Sequence, residues 1–178
     1  MIKKTRQVIF LDIDGVLQPY GRQDRFNHDL EQLKKDLAFK YNNDEYLEMD
    51  MYDLGTVWYD WDKGAVERLR KLCIAVPVEI VISSDWRRSS SLSRLKDYFK
   101  LHDLDRYVTG TIDLIPEKYR CEEITEYLKN NLDIHRFVIL DDDKLYDFDK
   151  KYPEQFVYCR NIFNEESYKK ALSILTKE

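Results

Sequence analysis

The stretch Val8-Ile9-Phe10-Leu11-Asp12-Ile13-Asp14-Gly15-Val16-Leu17 constrains this chain more than any other. It reads as an apolar strand that ends by presenting two acids, one residue apart, at a glycine turn. Side chains at i and i+2 of a strand point to the same face, so Asp12 and Asp14 enter one space. Two carboxylates at close quarters repel and lose hydration unless a cation or a shared proton offsets them. The bland alternative is a strand closing in an acidic turn, because Asp and Gly are common turn residues. The stretch alone leaves both readings open. Partners elsewhere in the chain decide between them.

The pattern beyond it alternates strands with helices. Asp62 caps a helix whose inward stripe is Val66, Leu69, Leu72 and Cys73. Pro77 then precedes the β-rich run Val78-Glu79-Ile80-Val81-Ile82, which ends at Ser83-Ser84-Asp85-Trp86-Arg87-Arg88. Serines 89 to 91 cap a helix with Leu92, Leu95 and Phe99 on its apolar side, and Tyr107 to Thr111 is a short strand or a turn. Glu117 to Arg120 leads into a helix through about Asn131, followed by the strand Arg136-Phe137-Val138-Ile139-Leu140 and the acids Asp141-Asp142-Asp143. Phe156 to Tyr158 suits a last strand, and Asn164 caps a helix with Tyr168, Ala171, Leu172 and Leu175 inward. Such alternation predicts an α/β fold, a parallel sheet with helices on both faces. Its right-handed crossovers gather the strand C-termini at one edge, where ligands of such sheets bind.

One segment, residues 18–61, interrupts the regular pattern. Leu30, Leu33, Leu37 and Tyr41 predict a helix from about His28 to Tyr41, and Leu47, Met49 and Met51 alternate with Glu48 and Asp50 as in a short strand or extended segment. With five Lys/Arg against ten Asp/Glu, it carries the net −5 of the whole chain. It reads as an insertion packed over one end of the core of a single domain spanning residues 1–178.

Charge and cysteine usage narrow the function classes. A net charge of −5 argues against a generally basic nucleic-acid binder, though not against local patches. Cys73, Cys121 and Cys159 are far apart, which fits buried thiols better than a zinc cage or disulfides. Lys3, Lys4 and Arg6 precede an apolar run, but Asp12 interrupts it too early for a secretory signal, and no stretch has the length of a membrane span. A soluble, cytoplasmic protein is expected.

Three strand ends carry polar groups suited to one site: Asp12/Asp14, Ser83/Ser84 and Asp141/Asp142/Asp143. Carboxylate oxygens with no His or Cys nearby select a hard cation, and Mg²⁺ is the expected one. The Ser83 hydroxyl and backbone N–H groups at the next helix suit a phosphate oxygen. Lys118 or Arg120 supplies a cation at the start of the helix before the last acidic strand end, and spacing does not choose between them. Each element also has a plainer reading: the serines as caps, the acid run as a solvated turn, the two cations as surface charges. The set in sheet order is more specific than any part of it.

Asp12-Ile13-Asp14-Gly15-Val16, the strand ending in Ser83 and the strand ending in Asp141-Asp142 resemble the haloacid dehalogenase (HAD) superfamily of phosphohydrolases. Ser83-Ser84-Asp85-Trp86-Arg87, Arg120-Cys121-Glu122-Glu123-Ile124 and Leu140-Asp141-Asp142-Asp143 further resemble the HAD domains of Swiss Army knife RNA repair proteins. The resemblance implies a three-layer, Rossmann-like fold with a short cap inserted after the first strand. It also implies Mg²⁺-dependent phosphatase chemistry, with Asp12 as nucleophile and Asp14 as acid/base. Asp12, Asp14 (through its backbone carbonyl), Asp141 and Asp142 would hold the metal, with Asp143 as an additional candidate. Ser83 and Ser84 would bind the phosphoryl group. The superfamily usually has a Lys at the cationic position, whereas the narrower branch favours Arg120 over Lys118.

The expected substrate is a phosphorylated small molecule, a nucleotide or a polynucleotide 3′-phosphate end. Tyr20, Trp58, Tyr59 and Trp61 are candidates for stacking on a base, although forming the insertion's own core is the stronger reading for them. Residues Asp85 through Lys100 include five basic ones, and Arg87 is singled out as a substrate contact. The competing class is a catalytically silent phosphate- and metal-binding module that serves as a partner or regulatory domain. The intact Asp12/Asp14 pair argues against it. A phosphoacceptor receiver fits less well, because receivers usually place the paired acids and the phosphoacceptor on separate strands.

Overall fold

A computed structural model describes residues 5–177; Lys3 and Lys4 of the basic leader lie outside them. Five strands form one parallel sheet: β1 (Arg6–Leu11), β2 (Glu79–Ile82), β3 (Val108–Thr111), β4 (Ile134–Asp141) and β5 (Phe156–Tyr158), in the order β3-β2-β1-β4-β5. β1 is central because it is apolar on both faces, as strands covered on both sides must be. Val8 and Phe10 point to one face, where they meet Ile124 of α6 (Arg120–Asn130) and Phe148 of α7 (Phe148–Lys151). Ile9 and Leu11 point to the other, packing with α4 (Lys63–Ala75), α5 (Leu92–Lys100) and α8 (Glu165–Thr176). The result is a three-layer α/β fold of the expected class.

Side-chain caps set several helix starts, each satisfying backbone N–H groups that a first turn leaves unpaired. Asp62 accepts from Ala65 N at 2.8 Å, Ser91 from Arg94 N at 3.2 Å and Asn164 from Ser167 N at 2.9 Å. The strand before the acid run begins at Ile134, two residues earlier than its apolar core indicates.

Within the 18–61 segment, α1 (Leu30–Tyr41) follows the helical spacing, capped by Asp29 and closed by Asn42 in the left-handed region (φ 47°). The next part corrects the sequence reading. Residues 47–51 form no strand: Leu47 and Glu48 end a short helix, α2 (Glu45–Glu48), only Met49 and Asp50 have extended backbone, and Met51 begins α3 (Met51–Gly55), which runs on into a π-helical turn, Thr56–Asp60. Asp50 starts α3 by accepting from Tyr52 N (2.8 Å) and Asp53 N (3.0 Å), so an acid read as the outer face of a strand is a helix cap. This helical body rests on α5 and the chain after it: the Tyr46 hydroxyl donates to Asp97 O (3.0 Å), and His102 Nε2 bonds Val57 O (2.8 Å).

Candidate active site

The register of the sheet builds the site. Leu11 pairs with Ile82 on one side and Leu140 on the other, so the next residues, Asp12, Ser83 and Asp141, emerge level at one edge. Two bonds continue the ladder past the strands: Ser83 N donates to Leu11 O (3.0 Å) and Asp12 N to Leu140 O (2.9 Å). All three side chains are buried. After Asp12 the chain turns back, with Leu17 N and Gln18 N both bonding Ile13 O. Gly15 sits in that turn at φ +71°, and a Cβ there would lie 2.2 Å from Asp142 Oδ2. Glycine is thus required twice, by the dihedral and by the close approach of the Asp142 carboxylate.

Oxygens of Asp12, Asp141 and Asp142 lie within 4.8 Å of one another. Arg120, the first residue of α6 and itself buried, reaches into this group. Its Nη1 is 2.9 Å from Asp12 Oδ2 and 2.6 Å from Asp141 Oδ2, and its guanidinium lies over the Tyr146 ring at 5.0 Å. Burial works against the Arg120 charge, but Asp141 and Asp12 outweigh it and raise its pKa above the ordinary value. Burial, then repulsion from Asp12, pushes the Asp141 carboxyl well above the usual carboxylate range, with Arg120 opposing the shift. With all three carboxylates ionised, one guanidinium leaves two negative charges in excess, which a divalent cation would balance, and the all-oxygen donor set suits a hard one.

The other acids have separate environments. Asp14 is half-buried and accepts from Trp86 Nε1 at 3.1 Å. Burial and the neighbouring Asp12 charge raise its pKa, and the Trp86 hydrogen bond opposes them. Burial also raises Asp142, against a hydrogen bond from the Tyr20 hydroxyl. Asp143 turns into its own loop, where Oδ1 accepts from Leu145 N at 2.6 Å, outside the metal-sized cluster. The Ser83 hydroxyl is fully buried and has no hydrogen-bond partner among the described residues, a state that costs free energy unless something else fills it. Ser84 is occupied as the cap of the turn Asp85–Arg88.

Two sequence expectations are corrected by this geometry. Lys118 does not reach the cluster: it precedes α6 and its Nζ pairs with Glu126 Oε1 at 3.3 Å. Arg87 is buried and both of its Nη atoms are engaged within the protein, so it is not poised for a substrate. It pairs with Glu123, and Nη1 donates to Ser83 O and to Ser84 O (2.9 Å). Arg87 thus holds the serine strand end in place from behind. Trp61 is likewise core, packed edge-on to Trp86 and Phe99 and stacked on His102. Tyr59 is stacked on His28, with ring centroids 3.7 Å apart.

Sequence reasoning missed Glu123 and the polar role of Tyr20. Glu123 had a signal: with Arg120 and Ile124 it occupies one helix face (i, i+3, i+4), an acid on an inward stripe. Nothing local marks Tyr20, whose hydroxyl finds Asp142 across the fold.

Comparison with known families finds one match: the model described as "HAD domain in Swiss Army Knife RNA repair proteins" covers residues 8–163, from β1 to the approach of α8. No curated protein and no solved structure matches the chain.

Proposed function

We propose a reaction for this chain, which belongs to the family of HAD domains in Swiss Army Knife RNA repair proteins: hydrolysis of phosphate monoesters, dependent on Mg²⁺, on nucleotides or on polynucleotide 3′-phosphate ends. The observation that carries it is the cluster of Asp12, Asp141 and Asp142 at one sheet edge, with Arg120 among them and the unpartnered Ser83 hydroxyl at the neighbouring strand end.

In this reading an Asp12 carboxylate oxygen attacks phosphorus, the ester P–O bond breaks and an aspartyl phosphate forms. Asp14 gives its proton to the departing alkoxide oxygen. Its raised pKa favours the protonated form that this step needs, and Trp86 Nε1 fixes its orientation. Asp14 then takes a proton from the water that attacks the same phosphorus, and the Asp12 carboxylate is released along with phosphate. Positioned acid–base help of this kind typically contributes about 10²–10⁴ in rate. Ser83, with Ser84 as a second donor, binds a phosphoryl oxygen, and Arg120 neutralises charge from the α6 side. Mg²⁺ would be held by Asp12, Asp141, Asp142 and the Asp14 backbone carbonyl, and would supply neutralisation of the charge that develops in the reaction.

The test is phosphate release from a panel of nucleotides, 3′- and 5′-phosphorylated oligonucleotides and sugar phosphates, with Mg²⁺ and with chelator. Turnover that requires Mg²⁺ and favours the nucleotide or 3′-phosphorylated substrates supports the reading. Absence of turnover on every substrate with every divalent metal overturns it in favour of a silent binding module.

A further inference from the structure

A second feature lies at the same sheet edge, on the β5 side of the metal-sized cluster. An open groove of about 770 Å³ runs between the loop after β4 and the start of α8. Lys144, Arg160 and Lys170 line it against a single acid, Glu166. All three cations are exposed, and none has a carboxylate partner among the described residues. Lys144 lies over the Tyr158 ring at 4.3 Å, and Lys170 Nζ donates to Phe156 O (2.8 Å), which leaves its other N–H donors open. In a chain of net charge −5, this is a local reversal of sign.

The groove is structurally continuous with the reacting centre. Asp141 pairs in register with Tyr158, and Cys159 N donates to Asp141 O (2.9 Å). Lys144 follows Asp142 by two residues. Next to Arg160, the Asn161 side chain accepts from Tyr20 N at 2.6 Å, and the Tyr20 hydroxyl bonds Asp142. A polyanion that ends at Asp12 therefore meets these cations as soon as it leaves the site over β4 and β5.

We infer that this groove holds the backbone phosphates of a single-stranded polynucleotide whose terminal phosphate lies at Asp12, so that the preferred substrate is a strand end rather than a mononucleotide. The inference rests on the phosphatase reading for the identity of the end group but not for the groove itself. Phosphate contacts position a strand without reading its bases, so recognition is sequence-tolerant. Each phosphate neutralised on a single strand contributes about 0.7 to the slope of log affinity against log salt.

The experiment measures binding directly, independent of turnover. Fluorescence anisotropy of a labelled, 3′-phosphorylated single-stranded oligonucleotide is recorded across a salt series, with wild type and with Lys144→Glu/Arg160→Glu. Removing two phosphate contacts is expected to weaken binding about tenfold or more and to flatten the salt slope by about 1.4. Equal affinity and equal slope for the two proteins would overturn the inference, as would wild-type binding that is independent of salt. Circular dichroism and thermal melts confirm that the variant is folded; if it is not, Lys144→Ala/Arg160→Ala is measured against the same criteria. Hydrolysis of p-nitrophenyl phosphate is followed in parallel. Loss of that activity from wild type refutes the phosphatase reading alone, and unchanged oligonucleotide binding by the variant refutes the groove alone.

Discussion

Arg87→Ala tests whether the second strand end is braced from within. The Arg87 and Glu123 side chains are each 3% exposed and pair with one another. Burial, with the nearby Arg120 and Arg88 charges adding to it, lowers the Arg87 pKa, and Glu123 is the main group opposing it. Removing one partner of a buried pair leaves the other charge uncompensated, which costs about 3–5 kcal/mol. Against a total stability of about 5–15 kcal/mol, that is a large fraction. For a chain of this length it corresponds to a fall in Tm of about 6–20 °C. Further loss comes from the carbonyls of Ser83 and Ser84, which Arg87 also satisfies. Replacing both partners, Arg87→Met with Glu123→Leu, removes both buried charges and recovers part of the loss. Recovery is incomplete because Ile115 N, which donates to Glu123 Oε1 at 2.9 Å, then lacks a partner, at about 1–3 kcal/mol. Urea unfolding followed by tryptophan fluorescence gives the three stabilities. A loss below about 1 kcal/mol in Arg87→Ala, accompanied by impaired substrate binding, would refute the bracing role and return Arg87 to the substrate.

Other perturbations reach the remaining parts of the account. Gly15→Ala is expected to weaken Mg²⁺ binding at least tenfold, read by calorimetry, because the new methyl displaces Asp142 Oδ2; unchanged affinity would contradict the close approach. Arg120→Ala should lower kcat/KM at least a hundredfold while Lys118→Ala stays within about twofold, since Lys118 is paired outside the site; the reverse order would refute the assignment. His102 is held below its ordinary pKa of 6.5 by burial and Arg70, against its bond to Val57 O, with Asp103 also opposing. The unfolded chain therefore takes up the proton first, so this contribution to stability is complete above about pH 6.5 and is lost as the pH falls below it. Wild type should lose more Tm than His102→Gln between about pH 7.5 and pH 5.5, and equal losses would refute the linkage.

What the sequence disclosed, and what it hid, follows from the range of the interactions involved. β1, β2, β4 and β5 were legible because each contains a short apolar run, whereas Val108-Thr109-Gly110-Thr111 has none and reads equally as a strand or a turn; the parallel register places Asp12, Ser83 and Asp141 level with one another. Asp62, Ser91 and Asn164 were legible as caps because a cap acts within three residues. Residues 47–51 misled because apolar residues two apart fit a strand, while the deciding bonds from Asp50 are those of a helix start. Arg87 was read as available because its partner Glu123 lies on another element, and the pairing exists only in the folded chain. Lys118 and Arg120 are equivalent by spacing. The start of α6 separates them, carrying Arg120 inward and leaving Lys118 to Glu126.

The central claim is that Asp12 carries the phosphoryl group, and trapping that species tests it most directly. In Asp14→Asn the leaving p-nitrophenolate needs no proton, so the first step proceeds while the water in the second step lacks its base. Acid-quenched protein mixed with p-nitrophenyl phosphate and Mg²⁺ should show one added phosphoryl group by mass spectrometry, located to Asp12, and none in Asp12→Asn. A phosphoryl group on another residue, or hydrolysis by Asp12→Asn within tenfold of wild type, would contradict the account.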